Sequence, residues 1–529
     1  MSYFNVISKS VLQEIKYHLP FYLLLTAILS LALFIRVYRA EDLLGFYYDQ
    51  GRDALVIWRF WYNRDFFLIG PVTGLMGIYL GPFYYLLIAP LYLIGGGSPV
   101  YPAVFLSFLS VIALFILYLL GQEMHSKAGG LIAATIGGFS FYIFTHSRWL
   151  SNPNPILLTS VILLYAMWKI VANRDASKRI VPGPENLQLG RWLIVALTVG
   201  LSLQLEAASA VFYIPSVLVF VIWIYWSDFK YKRYLQNLLR SKTFILALST
   251  FFITFIPQIV FNFLHENILF ENLYKLFIDE RAFRGFGKFV FEERLKFFFA
   301  LPNKFFIGQS LKTLVFTSFV LSTFIVRRKY LKVGMLKFFS IFLIIPMLGY
   351  LLFQGNFGNI YDYYLSGYFL PFILLFSIGL AELAHTKVGR FVVLIFLYQF
   401  IKLNAPYIGR YLSADEPHER PIVLEDQLKG VGWVFGDVKD RGNFNVDVYV
   451  PPVIPYSYDY LFLWQGSKKC GRDLCGQVDE KVPLLYTLYE EDPPHPERLQ
   501  AWLERQKGIA MVEKEEKFGQ ITVQRRKRL

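Results

Sequence analysis

Long apolar blocks alternate with short charged ones over roughly the first four hundred residues, and no other feature limits the fold of this chain as strongly. A membrane span needs about 20 apolar residues. In lipid, every backbone amide and carbonyl must be satisfied within its own segment, which leaves helices for blocks of this kind. Eleven spans are expected, at 20–38, 101–120, 128–145, 155–171, 192–208, 211–226, 243–262, 310–326, 334–352, 367–384 and 389–402. Composition agrees: 17% of the residues are charged, against about 25% in soluble chains.

The net charge of +14 would point to nucleic acid in a soluble protein. Here the basic residues sit between spans, at 174–191 (Arg174, Lys178, Arg179, Arg191), 230–242 (Lys230, Lys232, Arg233, Arg240, Lys242), 327–332 (Arg327, Arg328, Lys329, Lys332) and 387–390 (Lys387, Arg390). Eleven alternating spans put all four clusters on one side, the cytoplasm by the positive-inside rule, together with the N-terminus. No nucleic-acid partner is expected. The apolar stretch 83–97 is too short to cross and is broken by Pro90, so it reads as an interfacial helix. Lys9 and Lys16 precede the first apolar run with no small-residue cleavage site after it, which reads as an uncleaved first span.

The outer face then collects the loops 39–82, 146–154 and 263–309, the turns near 204–210 and 353–366, and everything after about 403. The tail has turn signals and a strand-like alternation from Asn443 to Val450, as in a small α+β domain. Its two cysteines, Cys470 and Cys475, allow a disulfide in an oxidising compartment; a zinc site would need further ligands nearby.

Chemistry-bearing residues fall on the same face. Tyr47-Tyr48-Asp49-Gln50-Gly51-Arg52-Asp53 opens the first outer loop. Asp49 and Asp53 share one face of a helix, with Arg52 between them. A carboxylate at the membrane surface is suited to general-base work, although an ordinary solvated helix start looks the same. His146-Ser147-Arg148-Trp149-Leu150-Ser151-Asn152-Pro153-Asn154-Pro155 offers a guanidinium for phosphate and amides for sugar hydroxyls; a polar helix-to-helix turn is the plain alternative. Glu206 ends the fifth span, facing either a cavity or the surface. Tyr363 and Tyr364 enter the tenth span as interfacial belt residues or as platforms for sugar rings. The loop 263–309 carries Lys275, Arg281, Arg284, Lys288, Arg294 and Lys296, which suit either lipid phosphate or a solvated helix face.

The order of Asp49, Pro82-Phe83-Tyr84-Tyr85, Ser147-Arg148…Asn152-Pro153 and Tyr363-Tyr364-Leu365…Pro371 resembles the C-type glycosyltransferases, GT-C. The nearest likeness is to the family-39 group of protein O-mannosyltransferases and the lipid A aminoarabinose transferase, and it covers roughly 20–400. The resemblance implies an active site at the outer membrane face, a polyprenyl-phosphate-linked sugar as donor, inversion at the anomeric carbon, and a glycan, lipid or protein acceptor. It makes Asp49 the base and gives Arg148 the place of an arginine that helps hold the site. The remaining donor- or acceptor-binding candidates are Arg52, Asp53, Asn152, Glu206, Tyr363 and Tyr364. Three departures stand out: Asp49-Gln50 where relatives have Asp-Glu, Asn152 where some have aspartate, and Gln204–Glu206 where some have lysine. They leave use of a divalent metal open.

The expected fold is an all-α polytopic membrane bundle of about eleven transmembrane helices, with juxtamembrane helices in the first outer loop and a small C-terminal α+β soluble domain. Residues 1–402 would form the membrane-embedded glycosyltransferase domain and 403–529 the extracytoplasmic domain of a multi-pass plasma (inner) membrane protein. A lipid or glycolipid flippase is the competing reading. Such proteins tend to show internal repeats and charges at the bilayer midplane, whereas here no repeat is evident and the polar residues gather on one face.

Overall fold

The computed structural model describes residues 14, 16–73, 77–177, 185–226, 238–279, 288–306, 310–326, 332, 334–353, 360–413, 421–439, 441–451 and 454–529. Lys178, Arg179, Lys230, Lys232, Arg233, Arg281, Arg284 and Arg327–Lys329 lie outside the described residues, as do the side chains of Arg174 and Lys288.

The apolar blocks fold as helices: α1 (Leu19–Val37), α2 (Tyr48–Tyr62), α3 (Phe83–Ile94), α4 (Val100–Met124), α5 (Lys127–Phe139), α6 (Phe141–Arg148), α7 (Ile156–Ser177), α8 (Glu185–Leu205), α9 (Tyr213–Tyr225), α10 (Lys242–Ile253), α11 (Ile256–Leu264), α12 (Lys288–Phe306), α13 (Ser310–Val326), α14 (Met335–Leu352), α15 (Phe369–Leu383) and α16 (Lys387–Ser413). Among the described residues, 6 helices are long and apolar enough to cross a membrane, and up to 8 if each of two bent pairs is one span. The bent pairs are α5–α6, at 63°, and α10–α11, at 53°. The other expected spans, at 155–171, 310–326 and 367–384, fall on α7, α13 and α15, whose apolar stretches are shorter. The span expected at 389–402 extends to Ser413. The 83–97 segment is the short helix α3, packed by Tyr84, Tyr85, Ile88 and Tyr92 rather than left free.

Buried arginines fasten the helix ends. At the α5–α6 bend the amide of Phe141 is taken by Asn404 Oδ1. The Gly137 and Gly138 carbonyls at that break bind the Arg36 guanidinium at 3.1 and 2.9 Å. Arg148 Nη1 in turn binds the carbonyls of Ile35 and Tyr38, at the end of α1, at 2.8 and 2.9 Å. Arg294 does the same for Tyr350 and Phe353 at the end of α14. The last carbonyls of a helix have no amide partner of their own and carry its negative dipole end, so a cation is the fitting cap.

The C-terminal part is α+β. Helices α17 (Leu424–Asp437), α18 (Tyr456–Cys470) and α19 (Pro496–Lys507) accompany strands β1 (Asn445–Tyr449), β2 (Leu484–Glu490), β3 (Ala510–Phe518) and β4 (Ile521–Arg528). The sheet order is β1-β2-β4-β3. β1 and β2 run parallel, as the α18 crossover between them requires, and the other pairs are antiparallel. Cys470 and Cys475 form a disulfide just after α18.

This unit shares one apolar core with the juxtamembrane helices. Phe46, Ile57 and Tyr84 belong to the same cluster as Val431, Tyr458 and Leu488. Trp464 Nε1 donates to the Gly96 carbonyl at 2.7 Å, and Tyr47 OH to the Ile422 carbonyl at 2.7 Å. The tightest approach is at Gly51 of α2, where a Cβ would stand 2.3 Å from the Ser457 amide nitrogen. Gly51→Ala is therefore expected to force α18 off α2 at a cost of about 1–3 kcal/mol. Thermal unfolding in detergent and protease sensitivity of the C-terminal domain measure this; wild-type behaviour in both would show that the close packing is not needed.

Candidate functional site

Asp49, Arg52 and Asp53 leave the first turns of α2 together. Arg52 Nη1 binds Asp49 Oδ1 at 2.8 Å, and its Nη2 and Nε bind Asp53 Oδ1 at 2.8 and 2.9 Å. Tyr85 OH of α3 donates to the same Asp53 oxygen at 2.9 Å. Burial pushes the Asp53 carboxyl up to about 6 against the pull of Arg52. Burial also works against the Arg52 charge, but Asp53 and Asp49 outweigh it and keep the guanidinium cationic. Asp53 has 5% of its side chain exposed and Asp49 has 53%. The two carboxylates thus divide: Asp53 is fixed inside the protein, and Asp49 is held by one guanidinium contact with its outer side open.

Neighbouring loops are tied to this helix start. Gln50 accepts from the Tyr47 amide at 3.0 Å and donates to the Leu150 carbonyl at 2.9 Å, joining α2 to the 149–155 turn. Asn152 of that turn donates to the Leu205 carbonyl at 2.6 Å and to Glu206 Oε2 at 3.2 Å. Glu206 Oε1 accepts from the Ala208 amide at 3.2 Å, so its carboxyl is held on both oxygens. Burial raises the Glu206 pKa to about 7, and the charge of Asp49 adds to the rise. The Tyr363 ring meets Trp149 edge to face at 6.0 Å. Burial and then the field of Glu206 keep its phenol protonated. Asp49, Asn152, Glu206 and Tyr363 are therefore one neighbourhood, built from four separate loops.

Arg148 stands elsewhere, and Tyr364 turns inward beside Tyr363, edge to face at 4.8 Å. Arg148 is occupied by the α1 carbonyls and lies over the rings of Phe144 and Tyr411; among the described contacts, none joins it to Asp49 or Glu206. Tyr364 is buried in the main apolar core, its ring stacked on Tyr350 at 6.5 Å. Arg294 of the basic outer loop is likewise a helix-end clamp. The sequence reading missed Gln50 and Tyr85, whose roles depend on partners distant in the chain. It also missed Lys304, which pairs with Asp362 beside the Tyr363 segment and lies 4.8 Å over the Phe297 ring. Among the described residues, Asp49 and Asp53 have no third carboxylate or imidazole close enough to share a cation with them.

An apolar groove of about 630 Å³ opens between α8, α9 and α10, lined by Val195, Val199, Ile214, Val221, Phe244 and Phe251 among others. It does not contain the polar cluster. Its Val199 lies on α8 roughly two helical turns before Glu206, which directly follows the end of that helix.

No family model matches the sequence, and no curated protein matches it. The structure does have counterparts among solved ones. ArnT from Cupriavidus metallidurans in the apo state superposes with a TM-score of 0.58 at 9% identity, covering 96% of this chain and 98% of that one. The same transferase bound to undecaprenyl phosphate gives 0.55 at 10% identity, with 97% and 98% covered. The Archaeoglobus fulgidus oligosaccharyltransferase in the apo form gives 0.45 at 14% identity, with 80% of this chain and 62% of that one covered. The superposition on ArnT is end to end and includes the C-terminal unit, so this chain shares the fold of ArnT.

Proposed function

We propose that this protein transfers a sugar from a polyprenyl-phosphate-linked donor to a hydroxyl or amine of a glycan, lipid or protein acceptor, with inversion, at the extracytoplasmic membrane face. The observation that carries the reading is the half-exposed Asp49 carboxylate. It is locked by Arg52, Asp53 and Tyr85 in the same neighbourhood as Glu206 and Tyr363, in a fold shared with a transferase whose structure holds undecaprenyl phosphate.

In this mechanism Asp49 takes the acceptor proton as the acceptor atom bonds to the anomeric carbon. The carbon–oxygen bond to the lipid phosphate breaks on the opposite side, and the phosphate leaves with the bonding pair. Phosphate is a good leaving group, so one base and accurate positioning carry most of the burden. Arg52 is a positioning residue for Asp49. Glu206, whose pKa burial raises to about 7, can in its protonated form donate a hydrogen bond to donor or leaving group. The apolar groove below Glu206 offers lipid-facing space of the kind a prenyl tail needs.

Orientation follows from charge. Lys127 pairs with Glu14, Lys169 with Glu123, Lys332 donates to the Glu123 carbonyl, and Arg191 to the Lys169 carbonyl. These cations gather at the end of the bundle away from Asp49. By the positive-inside rule that end, with the N-terminus, belongs in the cytoplasm, and an odd number of crossings such as the expected eleven would leave the C-terminal domain outside, where a disulfide is stable.

We assign acceptor binding to the C-terminal domain. The helix α18 that rests on Gly51 also lines a polar cavity of about 390 Å³ with Asp447, Asp459, Tyr449, Trp502 and Arg505. Carboxylates beside aromatic faces suit a polyhydroxylated ring.

Asp49→Asn is expected to lower kcat by about 10²–10⁴-fold with donor binding and membrane insertion intact. Wild-type transfer by this variant would exclude Asp49 as base, and lipid export without any transfer would favour a flippase. Asp459→Asn should raise the acceptor KM about tenfold, the loss of one hydrogen bond to a charged group, with the donor KM unchanged; an unchanged acceptor KM removes the domain from acceptor binding. Glu206 also sets a pH dependence of stability. Its native pKa of about 7 exceeds the free value of 4.5. Its contribution is complete below pH 4.5 and is lost as pH rises through 7, about 3 kcal/mol in all. Unfolding midpoints should fall over that window in the wild type and flatten in Glu206→Gln; equal slopes would show that Glu206 ionises freely.

A further inference from the structure

The end of the bundle opposite Asp49 carries a cluster that glycosyl transfer does not use. His125 follows the last residue of α4, Glu382 lies in the last turn of α15, and His385 lies in the turn two residues past its end, its amide bonded to the Glu382 carbonyl. His125 Nε2 is 2.5 Å from Glu382 Oε1, and His385 Nε2 is 3.9 Å from the same oxygen. The ligand atoms of all three lie within 4.8 Å of one another. Glu382 and His125 keep only 3% and 9% of their side chains exposed, whereas His385 keeps 55%.

We propose that His125, Glu382 and His385 bind one divalent transition-metal ion of the zinc type, which clasps the α4–α5 turn to the α15–α16 turn. Two imidazole nitrogens and one carboxylate oxygen form a donor set that suits zinc and leaves a fourth position for water on the exposed His385 side. Bonds of about 2.0–2.1 Å at tetrahedral angles need donor atoms about 3.3 Å apart. That value falls between the shortest and longest separations present, so small rotations of the three side chains close the site. The surrounding contacts hold the ligands in place. His125 Nδ1 lies 2.9 Å from Ser126 Oγ, which directs Nε2 to the centre of the cluster. Ser126 Oγ also accepts from the Gly129 amide at the start of α5. Thr386 Oγ1 accepts from the Gly389 amide at the start of α16, which fixes the other turn. Any proton on a coordinating nitrogen must leave when the metal binds.

The test uses the full-length protein in detergent, stripped by a chelator and then titrated with zinc by calorimetry and with cobalt by visible absorption. Expected are one ion per chain, the intense bands of four-coordinate cobalt, and a higher unfolding midpoint with zinc. His385→Ala, a change at an exposed side chain, should keep the fold but weaken binding by at least about tenfold and cancel the rise in midpoint. Glu382→Gln should abolish binding. No saturable binding at micromolar zinc, or equal affinity in the wild type and His385→Ala, overturns the site and leaves a His125–Glu382 hydrogen bond. Neither outcome touches Asp49, so the transferase reading stands or falls separately.

Discussion

Guanidinium groups bound to the ends of other helices hold this bundle in register. A bent helix in lipid exposes carbonyls with no water to receive them, and each costs several kcal/mol if left bare. Arg36 meets the carbonyls at the α5–α6 bend, Arg148 those at the end of α1, and Arg294 those at the end of α14. The first two interlock, since α1 carries Arg36 toward α5 and receives Arg148 from α6. This pair fixes where α1 stops, and so where the first outer loop and α2 begin.

That register reaches the candidate site through short polar links. Gln50 ties α2 to the 149–155 turn, Asn152 ties that turn to Glu206, and Ser209 Oγ donates to the Tyr363 carbonyl at 2.8 Å. Each contact is modest by itself. As a chain they hold four loops together above the helix ends. Within the cluster, Arg52 gives Asp49 a fixed direction without burying it, because Asp53 and Tyr85 take up the rest of the guanidinium's surroundings. A carboxylate that is both fixed and open is what proton transfer from an incoming acceptor requires.

The C-terminal unit is not a loose appendage. Its α18 meets α2 so closely that only glycine fits at position 51, and its core is continuous with that of Phe46 and Tyr84. The unit to which acceptor binding is proposed is thereby coupled directly to the helix that carries Asp49.

Apolar blocks of helical length located most of the bundle's helices and the short α3, because lipid leaves the backbone few alternatives, and turn signals with a strand-like alternation marked the tail; α12, inside the expected outer loop 263–309, carried no such block. The same patterning could not foresee the bends at α5–α6 and α10–α11 or the extent of α16 to Ser413, which depend on partners such as Asn404 and Arg36 rather than on local hydropathy. Asp49, Asn152 and Glu206 were legible as polar residues at span ends. Arg148 and Arg294 looked equally suited to phosphate, since a guanidinium's donors fit carbonyls and phosphates alike, and only packing shows which oxygens they meet. Gln50 and Tyr85 stood within motifs but had no legible role, and Lys304 carried no signal, because their partners are distant in the chain. Sequence determines which segments must leave water; the tertiary structure decides which polar group each buried donor finds, because that choice is made between residues a hundred or more positions apart.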